Sequence, residues 1–186
     1  MKVFINPGHD LVYDSGAVNP NSGLHECDVA AKVGNAVKEY LEAAGCECQL
    51  LQSDNLYWDS QYADRNVSVV QSANDWPADI FISIHCNAAN GQARGTECEV
   101  YQGGGSSAFL AKCIQSQIVS SLGTNDRGIN ERPGLVVLNS TTMPATLIEM
   151  EFIDNDDAAE LLMEQWDNFA RAIARGVTDY EQAMGF

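Results

Sequence analysis

The stretch Asp79-Ile80-Phe81-Ile82-Ser83-Ile84-His85 decides the fold. It is apolar on both faces, as expected of a strand inside a sheet that helices cover. Val3-Phe4-Ile5-Asn6-Pro7-Gly8-His9 has the same character, and Pro7-Gly8 breaks it. Each stretch closes on a histidine and runs into polar loop residues. In an α/β sheet, residues just past strand ends line the ligand crevice. Two imidazoles delivered there, with a carboxylate nearby, are what a catalytic zinc site requires.

Working outward, the pattern predicts strands at 2–6, 48–51, 79–85, 95–101, 135–138 and 145–149. Between them, residues 10–23 read as a polar loop. Helical spacing runs from Leu24 to Ala44, through Cys27, Val33, Val37 and Leu41, and Gly45 stops it. Further helices are predicted at 58–75, at 106–122 before Gly123, and as one long C-terminal helix at 156–182. Gly103-Gly104-Gly105 reads as a turn. A phosphate cradle is disfavoured there, because no Gly-Lys-Ser/Thr follows. Strands alternating with helices predict an α/β fold: a single mixed, mostly parallel twisted sheet of about six strands, with helices on both faces.

The chain has 186 residues, which suits one domain, 1–186, with one core. Its formal net charge of −16 argues against nucleic acid, whose phosphates need a basic face. No stretch approaches the roughly 18 apolar residues of a membrane span. Met1 leads almost directly into the first strand, so no signal peptide is expected. The 6 cysteines include no Cys-x-x-Cys pair. In a chain of this size and apolar content they are expected to be free thiols, made in a reducing cytoplasm.

His9 and His85 leave a third ligand to be found. Glu26 lies in the first turn of the first long helix, where a carboxylate also suits the helix dipole. His25 is its rival, about 100° around the helix, so one of the two faces the metal. A zinc held by His, His and Glu keeps a position open for water. A general base is still needed, and the segment Glu149-Met150-Glu151 offers two that share a face if the strand continues. Asn87, just after His85, reads as a ligand-orienting, substrate-binding or loop-capping residue. Tyr13 and Tyr101 read as packing residues or groove walls.

These pieces resemble the zinc-dependent N-acetylmuramoyl-L-alanine amidases of the Amidase_3 type, found in cell-wall hydrolases and phage endolysins. The likeness is carried by Asn6-Pro7-Gly8-His9, Gly23-Leu24-His25-Glu26, Arg65 with Ala73-Asn74, and Arg127-Gly128-Ile129. Pro144 to Asn155 carries it too, and Ser83-Ile84-His85-Cys86-Asn87-Ala88 is its most specific segment. The resemblance implies one zinc per chain on His9, Glu26 and His85, with Glu149 as the catalytic base, against His25 and Glu151. Arg65 matches a family position, where a structural role competes with substrate binding. The implied reaction is hydrolysis of the amide between N-acetylmuramic acid and L-alanine, by a metal-bound water. Peptidoglycan is the implied partner of a monomeric catalytic domain without a separate wall-binding module. It would act on the wall after secretion or lysis.

The chain departs from the family at Glu151, where many members have Gly, at Asp154, where many have Ser, and at Ala30, where Asn is common. Glu151 and Asp154 are expected to add negative charge beside Glu149 and raise its pKa by like-charge repulsion, or to mark a different peptide preference. Two other readings compete. A zinc carboxypeptidase acting on stem peptides would share the metal chemistry, but such enzymes often carry the first His and Glu within about one turn. Here His9 and Glu26 are far apart in the chain. A non-catalytic wall-binding domain would lack the base, and Glu149 is present.

Overall fold

The run quoted above is the central strand of a computed structural model that describes all residues, 1–186. In chain order the elements are β1 (Lys2–Pro7), α1 (Glu26–Ala43), β2 (Glu47–Leu50), α2 (Val69–Asp75), β3 (Ile80–Asn87) and β4 (Thr96–Val100). They continue with α3 (Gly105–Leu122), β5 (Asp126–Glu131), α4 (Val136–Asn139), β6 (Ala145–Phe152), α5 (Asp156–Glu164) and α6 (Trp166–Met184). The six strands form one sheet in the order β2-β1-β3-β6-β4-β5. Neighbours are parallel except β6 and β4, which are antiparallel. The mixed, mostly parallel sheet is the one the sequence predicts.

Alternation along the strands divides the core in two. Val3 and Ile5, Ile80, Ile82 and Ile84, and Ile148 and Met150 face the larger cluster, which α1, α3 and α6 complete. Phe4, Phe81, Ala145 and Leu147 face the smaller one, closed by Val69, Val70 and Ala73 of α2 and by Val137 and Leu138 of α4. The helices on this second face are short, 7 and 4 residues. Beyond Leu147 on that face stand Glu149 and its partner in register, His85. The thinner face therefore leaves room at the end of the sheet where the site residues lie.

Four local expectations change. Only 69–75 of the predicted 58–75 helix forms. Upstream, side chains compete for the backbone: Asn55 accepts from Asp59 N, Asp59 from Tyr57 N and Ser60 from Tyr62 N, at 2.9 to 3.1 Å. The helix begins only where Ser68 accepts from Gln71 N. Residues 135–138, expected as a strand, contribute instead to the short helix α4; a four-residue apolar run has no periodicity to tell the two apart. β5 was not foreseen, because an edge strand of mostly polar residues carries no apolar signal. The long C-terminal helix is two helices that break at Gln165. All 6 cysteines are free, as expected. No helix is long and apolar enough to cross a membrane.

Candidate metal centre and active site

β1 and β3 are parallel neighbours, so their ends deliver His9 and His85 side by side. His85 does not quite end its strand: β3 runs on to Asn87 through a register shift against β6. His9 turns inward with a positive φ of 64°, unusual outside glycine. The two rings meet edge to face, centroids 5.1 Å apart. Two glycines make room. A Cβ on Gly8 would collide with the His85 ring, and one on Gly16 would lie 2.5 Å from His9 Cδ2 and 2.7 Å from Glu26 Oε2.

Glu26 opens α1, where the helix dipole favours a carboxylate. Backbone N–H groups grip it from both sides: Ala17 N donates to Oε2 and Cys86 N to Oε1, each at 2.9 Å. His9 Nε2 lies 3.0 Å from Oε2, and His85 Nδ1 lies 3.0 Å from Oε1. The other nitrogen of His9 is held by Asp14 Oδ2 at 2.8 Å. His25 faces away, half-exposed, 3.7 Å from Asp28. The structure thus gathers His9, Glu26 and His85 and leaves His25 outside.

The charges interlock. Burial alone would raise the Glu26 pKa, but hydrogen bonds to His85 and His9, and their charge, outweigh it and hold the carboxyl far below its usual range. Burial would lower the His9 pKa, but Glu26 and then Asp14 outweigh it and raise it to about 9. Glu149 is pushed well above the carboxylate range, by burial first and then by Glu26, Glu99 and Glu97. Its Oε2 is buried without a hydrogen-bond partner. Ligand atoms of His9, Glu26 and His85 all lie within 4.8 Å of one another. Two imidazoles and a carboxylate at that spacing, with an unpartnered carboxylate oxygen on the strand beside them, fit a zinc ion.

The expected effect of Glu151 and Asp154 on Glu149 is corrected. Glu151 is fully buried, and its Oε2 accepts from Gly95 N at 2.7 Å and Phe152 N at 3.1 Å. Asp154 Oδ2 accepts from Ala89 N and Gly91 N, at 2.9 and 2.8 Å. Both brace loops. The largest like-charge effects on Glu149 come from Glu26 and from Glu99 and Glu97 of β4, the last its partner in the antiparallel ladder. The alternation Thr96-Glu97-Cys98-Glu99-Val100 was the available signal for these two, since Glu97 shares a face with Glu149.

The remaining residues sort cleanly. Asn87 Nδ2 donates to Glu97 Oε1 at 2.7 Å, and its Oδ1 accepts from Ala88 N, so its amide is engaged at both ends. Arg65 lies in the loop before α2, not in a helix. Its Nε and Nη2 bind both oxygens of buried Asp10, at 2.5 and 2.9 Å, and hold that carboxyl down at about 2. It also lies over the ring of Tyr13, which stacks on Tyr62 with centroids 3.7 Å apart. Tyr101 follows the end of β4 that lies toward the start of β6, and it lines a separate cavity with Gly104, Thr142 and Pro144.

Fold and site define a class: an α/β protein with a two-histidine, one-carboxylate centre beside a buried glutamate, as metal-dependent hydrolases use. The chain belongs to the N-acetylmuramoyl-L-alanine amidase family, which matches it over residues 3–179. Its reaction is accordingly amide hydrolysis in peptidoglycan. It is 37% identical over 182 residues to the uncharacterised protein YqiI of Bacillus subtilis, covering 96% of this chain and 84% of that one. It is 34% identical over 184 residues to the amidase LytC of the same species, covering 96% of this chain but 35% of LytC. Among solved structures, the amidase AmiC2 of Nostoc punctiforme superposes with a TM-score of 0.83 at 29% identity, over 98% of this chain and 97% of AmiC2.

Proposed function

We propose that the chain cleaves the bond between N-acetylmuramic acid and L-alanine with one zinc ion held by His9, Glu26 and His85, and with Glu149 as general base. The observation that carries this reading is the convergence of those three donors next to a glutamate whose Oε2 is buried and free. When bound, zinc supplies Lewis acidity toward a water and the amide carbonyl. The protein supplies the rest. Ala17 N and Cys86 N fix the Glu26 carboxylate, so it needs no reorganisation to serve as a ligand. Asp14 Oδ2 accepts a hydrogen bond from His9 Nδ1–H, the tautomer that leaves the Nε2 lone pair facing inward.

Glu149 removes the proton from the attacking water and returns it to the leaving amine, which cannot depart as an anion. Its buried setting among acidic neighbours raises its affinity for that proton. The substrate is peptidoglycan, and the place of action is the cell wall. Glu149→Gln tests the assignment. It should retain one zinc per chain by metal analysis and lose roughly 10²–10⁴ in rate on purified sacculi. Wild-type products should be lactyl-ended glycan and intact stem peptide by mass analysis. Near-wild-type turnover by Glu149→Gln would refute the role of Glu149, and a cleaved stem peptide would mark a peptidase.

A further inference from the structure

Going outward from Glu149 across the sheet, the next side chain on the same face is Glu97, and beyond it is Arg127. Glu97 is buried and fully bonded: Asn87 donates to Oε1 at 2.7 Å, while Arg127 Nε and Asn130 Nδ2 donate to Oε2 at 3.1 and 3.2 Å. Arg127 reaches it because the β4–β5 register shifts between Thr96 and Cys98, with Gly128 at a φ of 80°. Bulges of this kind re-aim side chains beside active sites. The guanidinium also lies over the Phe152 ring, 4.8 Å from its centroid, which sets its plane. Its terminal amino groups make no hydrogen bond within the chain, and the side chain is 42% exposed.

We propose that Arg127 is a specificity-determining residue that offers this free fork, two strands out from Glu149, to a carboxylate of the stem peptide on the amine side of the scissile bond. The inference rests on the amidase reading. In that substrate the muramoyl carboxyl is consumed in the amide, and the sugars present neutral hydroxyl and acetamide groups. Fixed negative charge near the bond therefore belongs to the peptide. A guanidinium matches a carboxylate with two parallel hydrogen bonds. Arg127 pairs with the Glu97 charge through Nε alone, and that pairing leaves both terminal amino groups available to a ligand. The chain carries 26 acidic against 10 basic residues, so a presented cation is what lets an anionic peptide approach the site.

The test uses two synthetic muramoyl peptides, identical except that the second residue carries a free carboxylate or its carboxamide. The zinc-loaded wild type should prefer the carboxylate form by about 10- to 100-fold in kcat/KM. In Arg127→Ala that preference should fall to about one, because kcat/KM for the carboxylate peptide drops by far more than kcat/KM for the carboxamide peptide, and the differential loss lies in KM. Arg127→Lys should restore part of the preference as a point charge. If Arg127→Ala does not fold, Arg127→Gln, which keeps a donor toward Glu97, gives the same comparison. Equal wild-type activity on both peptides, or equal loss on both in the variant, overturns the proposal and leaves the amidase reading standing. A zinc-loaded wild type that cleaves neither peptide refutes the amidase reading itself.

Discussion

The two sides of the site are built differently. On the parallel side, β1, β3 and the start of α1 hold His9, His85 and Glu26 with backbone: two N–H donors on Glu26, two glycines under the rings, and a histidine in a left-handed turn. On the other side, Glu97 and Glu99 of β4 are held by side chains: Arg127 and Asn130 of the edge strand β5, Arg132 just past it, and Asn87 reaching across from the end of β3. Backbone grips fix one geometry and tolerate little. Side-chain pairs can be exchanged one residue at a time.

The comparison is broken most severely by removing a proposed zinc ligand. His85→Ala should lose zinc on mild chelation and drop below detectable hydrolysis, with metal content and sacculus clearing as readouts. A variant that kept stoichiometric zinc would place the centre elsewhere. A smaller effect is expected from Asp14→Ala, which frees the Nδ1 of His9 without touching a ligand. Zinc affinity should fall by about 10- to 100-fold in competition with a chelator. Unchanged affinity would mean that backbone alone orients His9.

The mildest effect on the metal should come from the other side. Arg132 Nε donates to buried Glu99 Oε1 at 3.0 Å. Arg132→Ala leaves that carboxylate unpaired and should cost about 1–3 kcal/mol in urea unfolding, with zinc content unchanged. Loss of zinc in this variant would show that the two sides are coupled and erase the distinction.

The same division explains what the sequence revealed. The parallel strands were legible because runs such as Ile80-Phe81-Ile82 are buried on both faces, and a histidine after such a run stands out. The choice of Glu26 over His25 was open on spacing alone and came from the family resemblance. What turns the Glu26 carboxylate toward the two histidines is Ala17 N and Cys86 N, contacts no periodicity encodes. β5 was invisible because Asp126-Arg127-Gly128-Ile129-Asn130-Glu131 carries its information in pairings with another strand. Glu151 and Asp154 were located correctly, but their charge was assigned to the wrong neighbour, since a buried carboxylate that accepts backbone N–H groups looks the same in sequence as one that faces a site.

The bulge that aims Arg127 has a consequence for crowding. β5 is one of the two outer strands of the sheet. An outer strand with straight, regular backbone is a template on which a second molecule can extend the ladder. Here the register shift breaks that template, and Asp126, Arg127 and Glu131 put charge along it. Copies of this protein at high local density would find no regular strand on this side to continue, which guards against edge-to-edge aggregation.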